Sequence, residues 1–390
     1  MPTNKRRVLI LSEIISPYRI PVFNALARDE RISLHVVFLS ETDTGLRQWR
    51  VYKDEISFSY EVLPSARLRA GKSNLLLNWK LRSCLERSDP EAILCGGYNY
   101  LASWEALWWA KKHRSEVILW SESNRHDARS GRGAVEYLKS YFVSRCDRFV
   151  VPGKASREYL QSMGVDDEKI GVAPNAVDNG WYRAQAATIR AASSRFRERL
   201  ALPERFFLFA GRLVAEKGVF DLLDAYAALA SEVRSEVGLV IAGDGPTRAQ
   251  LQRRAQDVQL GNVCFTGFLH REELAGVYAL AAALILPTHS DPWGLVVNEA
   301  MACGLPIIVT NVAGCASDLV ENGWNGYVVP RRSPKELSAA LDLLIQNREL
   351  TQKMRARSLE RIQNYSPEAC ANGLASAALA EASELQWMAG

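Results

Sequence analysis

Short apolar runs, separated by helix-length polar segments, recur along the chain. The first half contains RRVLILS, SLHVVFLS, AILCGG, VILWSES and RFVVPG, and the first run is followed by helical spacing in YRIPVFNALARD. Runs of this length are typical of buried strands, and strands that alternate with helices form βαβ units around a parallel sheet. The pattern therefore predicts an α/β fold.

The alternation stops between about residues 176 and 204, where a polar stretch predicts a linker without a strand. It restarts with FFLFAG, GLVIAGDG, VCFTG, ALILPT, PIIVT and GYVVP. Two runs of βα units predict two Rossmann-like domains in tandem, over residues 1–180 and 200–365. SPEACANGLASAALAEASELQW predicts a final helix at about 366–390.

Composition agrees with two globular domains. The chain has 390 residues, which is more than one hydrophobic core usually supports, and 48% hydrophobic and 24% charged residues. Seven cysteines are scattered singly and favour reduced thiols in a cytosolic compartment. The five histidines show no metal-ligand spacing and no Asp-x-Asp occurs, so we expect neither a protein metal site nor a cofactor.

The charge and apolar patterns bear on membranes and nucleic acid. The net charge is only +4, with its excess in residues 1–180, so nucleic acid is not expected as a partner. The apolar run near the N-terminus is interrupted at Ser12 and Glu13, which makes it too short for the apolar region of a signal peptide. No apolar run is long enough to span a bilayer. We expect a cytoplasmic protein, with peripheral contact to the inner face of a membrane as an open alternative.

Two segments of the first half combine aromatic and basic residues. RLRAGKSNLLLNWKLR, residues 67–82, predicts either an ordinary solvated helix or a contact with a membrane surface or a lipid acceptor. Trp104 and Trp108 have helical spacing, which favours the core over a binding platform.

The first candidate for chemistry follows the strand that begins the second half. FAGRLVAEKG places Gly211 and Arg212 at the carboxyl end of this strand and Lys217 at the head of the next helix. In open α/β sheets, the carboxyl ends of the strands face the ligand crevice, and two cations beside helix N–H groups suit a diphosphate. The alternative is a pair of solvated loop charges.

The glycine-rich loop GDGP, residues 243–246, is a weaker candidate. It follows a strand but lacks the G-x-G-x-x-G spacing of dinucleotide-binding loops. A tight strand-to-helix turn explains it as well as ligand contact does.

The third candidate is SDPWGLVVNEAMACG, which predicts a turn and then a helix that Gly294 opens. The N–H groups of Gly294, Leu295 and Val296 at its head favour an anionic or strongly polar group. Glu299, about one and a half turns into the helix, can lean back toward that head. Its two oxygens suit two adjacent ribose hydroxyls; the alternative partner is an arginine at the edge of the core.

GRLVAEKG, GDGP, FTGFL, DPWGLVVNEAMACGLPIIVT and ENGWNGYVVP, in this order, closely resemble the carboxyl-terminal domain of glycosyltransferase family 4. The resemblance is strong over residues 205–330. It implies a GT-B fold, in which two Rossmann-like domains face each other across a cleft, and a retaining enzyme that uses a nucleotide-sugar donor. It also implies that the final helix crosses back to the first domain.

The resemblance assigns roles to the residues above. Glu299 would hold the ribose, Asp291 and the helix head would face the donor sugar and phosphates, and Arg212 and Lys217 would clamp the diphosphate. The family usually has Glu and Glu at the acidic pair, and here the first member is Asp291. No metal is expected.

The first half resembles the acceptor domain of the family more loosely. ISPYRIPVFNALA is similar to the opening of a bacterial subgroup, but a Gly-Gly pair common after the first strand is missing. The family often has a histidine after a strand in the middle of this domain. Here that stretch reads LWSESNRHD, which leaves Glu122 and His126 as alternatives on the acceptor side.

The resemblance therefore predicts transfer of a sugar to a glycan, lipid-linked or small-molecule acceptor, in bacterial surface polysaccharide or glycoconjugate synthesis. A GT-B epimerase or phosphorylase is the main alternative. A nicotinamide-dependent dehydrogenase would need G-x-G-x-x-G after its first strand, where this chain has LSEIISPYR. A noncatalytic sugar-nucleotide-binding scaffold is a further alternative.

Overall fold

The computed structural model describes residues 5–43, 49–70, 73–127 and 133–381. The chain divides into two compact units, residues 1–176 with 367–390 and residues 177–366. Each unit is built around its own parallel sheet. Where described, no helix is long and apolar enough to cross a membrane.

The strands of the first unit make a seven-stranded parallel sheet in the order β3-β2-β1-β6-β7-β8-β9 and a separate antiparallel hairpin, β4-β5. They are β1 (Arg6–Ser12), β2 (Ile32–Phe38), β3 (Ser59–Val62), β4 (Ser65–Ala70), β5 (Ser73–Asn78), β6 (Ala92–Cys95), β7 (Glu116–Trp120), β8 (Arg148–Val151) and β9 (Ile170–Val172). Its first helices are α1 (Ile20–Ala27), α2 (Leu81–Ser88), α3 (Leu101–His113), α4 (Gly133–Arg145) and α5 (Lys154–Ser162).

Alternation along β1 shows why both faces of this sheet are covered. Val8 and Ile10 belong to one hydrophobic core, and Leu9 and Leu11 belong to the other. Successive side chains of a strand point to opposite faces, so an entirely apolar strand requires packing on both sides. RRVLILS therefore specifies an interior strand of a doubly wound sheet.

The second unit has a six-stranded parallel sheet in the order β12-β11-β10-β13-β14-β15. Its strands are β10 (Phe206–Ala210), β11 (Gly238–Ala242), β12 (Val263–Gly267), β13 (Ala283–Leu286), β14 (Ile307–Thr310) and β15 (Gly326–Val329). Its helices are α6 (Asn179–Ala191), α7 (Ser193–Leu200), α8 (Val219–Ala227), α9 (Ser231–Glu236), α10 (Arg248–Asp257), α11 (Arg271–Leu280), α12 (Leu295–Ala302), α13 (Ala316–Leu319), α14 (Pro334–Gln346) and α15 (Arg348–Ile362).

The prediction of a linker at about residues 176–204 needs correction. Helices α6 and α7 lie in this stretch and belong to the second unit. Tyr182, Ala186 and Ile189 have helical spacing and face the core of that unit, where α6 packs against α11 and α12. The side chain of Asp178 caps α6 by accepting a hydrogen bond from the N–H of Trp181. The second unit therefore begins at Val177, well before residue 200.

The last helix, α16 (Pro367–Leu379), belongs to the first unit, where it packs on α1, β8 and β9. A Cβ at Gly373 would lie 2.1 Å from the carbonyl oxygen of Val172, so glycine permits this close approach of helix and strand. The predicted helical residues after 381 lie outside the described residues.

Candidate functional site

The strand order of the second unit reverses between β10 and β13. From this point the chain proceeds to β11 and β12 on one side and to β14 and β15 on the other. In open α/β sheets, ligands bind outside the carboxyl ends of the strands at such a switch point. The loops that follow β10 and β13 carry Gly211, Arg212, Lys217, Asp291 and Gly294.

Lys217 and Asp291 come from different loops and form an ion pair, in which the ammonium group donates to Oδ2. Asp291 is buried, and its Oδ1 also accepts a hydrogen bond of 3.3 Å from the N–H of Trp293. Lys217 is partly buried. Lys217, which was predicted to bind the diphosphate, is therefore paired with Asp291, which was predicted to face the donor sugar.

The backbone around Lys217 is fixed by the loop after β13. Gly218 has a φ of 66°, and a Cβ there would lie 1.9 Å from the carbonyl oxygen of Pro287. The carbonyl of Glu216 accepts hydrogen bonds from the N–H of His289 (2.7 Å) and from the hydroxyl of Thr288 (2.9 Å). These contacts hold the two loops in one arrangement.

Arg212 is exposed, and neither a hydrogen bond nor an ion pair of its side chain is found within the described ranges. The GDGP loop packs closely against the backbone of Gly211 and Leu213, the two neighbours of Arg212 in the chain. A Cβ at Gly243 would lie 1.9 Å from the carbonyl oxygen of Gly211, and one at Gly245 would lie 2.4 Å from that of Leu213. These glycines therefore have a packing role, which is sufficient to explain the motif.

Helix α12 begins at the same edge of the sheet. Its N-cap, Gly294, has a φ of 98° in the left-handed region, and no side chain caps this end. A Cβ at Gly294 would lie 2.8 Å from Leu286 and 3.7 Å from Oδ2 of Asp291. The half-buried Leu295 and Val296 supply the next N–H groups, which are not used within the helix. The arrangement favours an anion near the Lys217–Asp291 pair.

Glu299 lies deeper in α12 and is bonded to tyrosines. The hydroxyl of Tyr278 donates to Oε2 at 2.8 Å, and Tyr182 is a second hydrogen-bond partner. The pKa of Glu299 is raised to about 7 because the carboxyl group is buried. The hydrogen bonds from Tyr278 and Tyr182 act in the opposite direction and lower this pKa. The structural partners of Glu299 are therefore the hydroxyls of Tyr278 and Tyr182, and not an arginine at the edge of the core, the alternative that the sequence left open. A carboxylate has about four lone-pair sites, so hydroxyls of a ligand can still be accepted.

Trp293 of the DPWG turn is buried, and its Nε1 donates to Oδ1 of Asn298 at 2.8 Å. His289 has a comparable role, because its Nε2 lies 2.8 Å from Oδ2 of Asp221 on α8. Both contacts fix the loop that carries Asp291.

In the first unit, the strand order reverses between β1 and β6, and a pocket of about 200 Å³ lies at this point. Its lining includes Glu13, Arg19, Trp120 and Glu122. Arg19 forms an ion pair with Glu122, and its guanidinium lies 3.8 Å from the centre of the Trp120 ring. His126 is exposed and does not line this pocket. Of the two acceptor-side alternatives, Glu122 is the one in a pocket.

A second cluster of polar groups in the first unit is His35, Glu61 and Cys84, whose ligand atoms lie within 4.8 Å of one another. Such a group could hold a metal ion. Its members have other partners, however. Arg87 pairs with Glu61 at 2.8 Å, and Nδ1 of His35 lies 2.9 Å from the hydroxyl of Ser59.

Two predictions for the first unit are wrong. The helix considered for residues 67–82 is wrong for most of that segment, because Ser65–Ala70 and Ser73–Asn78 form the strands of the β4–β5 hairpin. The exposed Leu68 and Leu75 pair across these strands, and Leu76 faces the core. The membrane or lipid contact considered for the same segment stays a prediction. Residues 71–72 of this segment lie outside the described residues. Trp104 packs against the core as expected, but Trp108 is 63% exposed.

Both units match models of known protein families. The family model for Glycosyl transferases group 1 matches residues 191–361, and that for Glycosyltransferase Family 4 matches residues 24–180. The chain belongs to this family of glycosyltransferases. Alpha-D-kanosaminyltransferase of Streptomyces kanamyceticus is 34% identical over 43% of this chain and 44% of its own length. O-antigen chain mannosyltransferase C of Escherichia coli is 30% identical over 41% and 42%. This chain spans about half the length of the curated relatives it matches.

Solved structures show the same fold at low sequence identity. HepE of Anabaena in complex with UDP has a TM-score of 0.75 and 17% identity, and the match covers 96% of this chain and 100% of that chain. HepE has also been solved with UDP-glucose. The fold is GT-B, with two Rossmann-like domains.

Proposed function

We propose that this chain transfers a sugar from a nucleotide-diphosphate sugar to a glycan, lipid-linked or small-molecule acceptor, with retention of configuration and without a metal. The observation that carries the proposal is the Lys217–Asp291 pair beside the uncapped start of α12. The exposed Arg212 adds a second cation at this edge of the sheet. Cations and helix N–H groups together suit the two phosphates of a donor.

The chemistry follows from the leaving group. When the bond from the anomeric carbon to the phosphate oxygen breaks, negative charge grows on the diphosphate. Lys217, Arg212 and the N–H groups at the start of α12 stabilise that charge, and fixed groups need no reorganisation during the step. Because Asp291 is held by Lys217, it is not placed as a free nucleophile. The acceptor oxygen then bonds to the anomeric carbon on the face from which the diphosphate departs, and the departing phosphate accepts the proton of the acceptor hydroxyl. Configuration is retained because the new bond forms on the same face as the broken one.

Glu299 binds the ribose in this proposal. Tyr278 and Tyr182 orient its carboxylate, and the remaining lone pairs accept from the two ribose hydroxyls. Asp291 faces the donor sugar. The complexes of HepE with UDP and UDP-glucose support a uridine nucleotide as the first donor to test.

The first unit binds the acceptor in its Arg19–Glu122 pocket in this proposal. The similarity to an O-antigen mannosyltransferase and to a kanosaminyltransferase supports a role in surface polysaccharide or glycoconjugate synthesis.

The test is a product assay. The chain is incubated with UDP-glucose and then with other nucleotide sugars, with and without candidate saccharide acceptors and in excess chelator. We expect release of nucleoside diphosphate that depends on the acceptor, a product with the anomeric configuration of the donor, and undiminished turnover with chelator.

Other outcomes identify the alternatives. Interconversion of nucleotide sugars without an acceptor would indicate an epimerase, and a requirement for inorganic phosphate would indicate a phosphorylase. Binding of the donor without any turnover would indicate a scaffold. A strict requirement for a divalent ion would contradict the metal-free site.

A further inference from the structure

Helix α4 packs Phe142 and Val143 in the core, but it also exposes several large apolar side chains and buries a lysine. Lys139 is buried, with its ammonium group 4.2 Å from the centre of the Tyr159 ring and 5.7 Å from that of Tyr98.

In contrast, Tyr137 is 70% exposed and Leu138 is 53% exposed. A helix on a water-facing surface normally turns its charged residues outward and its apolar residues inward. The exposed apolar part of α4 is therefore suited to an environment other than water, and the exposed Glu136, Ser140 and Ser144 lie beside it.

The exposed apolar side of α4 continues onto α3. The Trp104 ring stacks on the ring of Tyr141 with centroids 6.2 Å apart, and it lies 6.2 Å from the ring of Trp108. Leu101 is exposed two turns before Trp108, on the same side of α3. The exposed apolar residues of the two helices therefore adjoin where Trp104 stacks on Tyr141. We refer to them as the α3–α4 surface, which comprises Leu101, Trp108, Tyr137, Leu138 and Tyr141.

Cations flank the α3–α4 surface. Lys112 is exposed one turn after Trp108, and the guanidinium of Arg145 lies 5.0 Å from the centre of the Tyr141 ring. Arg114 is exposed at the end of α3.

Two carboxylates lie near these cations: Glu105 on α3 is half-exposed, and Glu136 on α4 is exposed and lies 3.8 Å from the ammonium group of Lys139. The three exposed cations outnumber these two carboxylates. This charge favours an anionic partner, and it disfavours a second copy of the chain, which would bring like charges together.

We propose that the α3–α4 surface lies on an anionic lipid bilayer. Tryptophan and tyrosine combine an apolar ring with a polar edge and are enriched at the depth of the lipid headgroups. Interfacial helices place apolar residues below that depth and basic residues among anionic headgroups. Docking by this surface requires neither a donor nor turnover, so it goes beyond the proposed transfer reaction.

The test is co-sedimentation of the full chain with vesicles of phosphatidylcholine alone or of an equimolar mixture with phosphatidylglycerol. We expect binding to the anionic vesicles and little binding to the neutral ones. Trp108→Glu with Leu138→Glu should lower the affinity for anionic vesicles at least about tenfold. The matched control is Leu343→Glu, which changes an exposed leucine of the second unit and should leave the affinity within about twofold.

Three results would overturn the proposal: no binding to anionic vesicles, equal binding to both kinds of vesicle, or equal effects of the two sets of substitutions. Sedimentation velocity without lipid would detect a dimer. A dimer that the Trp108/Leu138 substitutions dissociate, together with no vesicle binding, would assign the surface to a second copy. Because these measurements use no sugar donor, their failure is separate from failure of glycosyl transfer.

Discussion

The two units use the same topology but build their candidate sites differently. In each, the strand order reverses beside the first strand, at β1/β6 and at β10/β13. In the second unit, glycines with positive φ, an uncapped helix start and a Lys–Asp pair concentrate at this point. In the first unit, an Arg–Glu pair on a tryptophan ring lines a pocket. The shared fold places both candidate sites where the strand order reverses, and the different loops give each site different side chains.

The second unit should stabilise the negative charge that grows on the diphosphate leaving group. We expect Lys217→Ala to lower kcat by about 10²–10³-fold, because it removes a fixed cation from a leaving group that gains charge. The measurement is steady-state turnover, with Lys335→Ala as the control for an exposed lysine of the same unit. If Lys217→Ala combined with Asp291→Asn recovers wild-type turnover, Lys217 serves only to neutralise Asp291.

Backbone geometry should matter most where the two loops of the second unit meet. We expect Gly218→Ala to destabilise the protein by about 2–3 kcal/mol, because the new Cβ would meet the Pro287 carbonyl and the residue has a positive φ. Gly164 of the first unit also has a positive φ, 84°, but no atom lies within 4 Å of a Cβ there. Chemical denaturation should show a loss of about 1 kcal/mol for Gly164→Ala. Equal losses would mean that the contact with Pro287 is unimportant.

The pocket of the first unit should act on the acceptor alone. Glu122→Gln removes the charge that Arg19 pairs with, and we expect the acceptor KM to rise about tenfold while the donor Kd stays within about twofold. His126→Gln, outside the pocket, is the control. An effect on donor binding as large as that on the acceptor would contradict the division of roles between the units.

Glu299 should give the second unit a pH-dependent stability. Its folded-state pKa of about 7 lies above the ordinary value of 4.5, so the folded protein retains a proton that the unfolded chain releases. The free energy of unfolding should therefore fall as pH rises from 4.5 to about 7, by about 1 kcal/mol or more. Denaturation of Glu299→Gln at a series of pH values should lack this fall. A variant with the wild-type pH dependence would mean that Glu299 is not the titrating group.

The sequence predicts local features of the fold better than it predicts partners that are distant in the chain. All the apolar runs of the second half form strands, and Gly294 precedes a helix as expected. The two tyrosines on Glu299 were missed, because Tyr182 lies in a stretch that was interpreted as a linker. Its spacing with Ala186 and Ile189 was the available signal.

The first unit illustrates the same limit more strongly. Arg19 and Glu122 are separated by 103 positions, and only the order of the strands brings them together. The β4–β5 hairpin and the exposed Trp108 were also missed, since an apolar run or a tryptophan does not itself indicate which side faces water. The family motifs supplied the spacing of the donor side, and the acceptor side lacks comparable motifs.

The most direct test of the account is the role of Glu299 in binding the ribose of the donor. Calorimetry compares the preferred nucleoside diphosphate with its 2′,3′-dideoxy analogue on wild-type protein and on Glu299→Gln. We expect the wild type to bind the ribose form more tightly by about 1.5 kcal/mol, or roughly tenfold, and the variant to bind both forms almost alike. If the variant still prefers the ribose form as strongly as the wild type does, the carboxylate belongs to the fold and the proposed donor site is wrong.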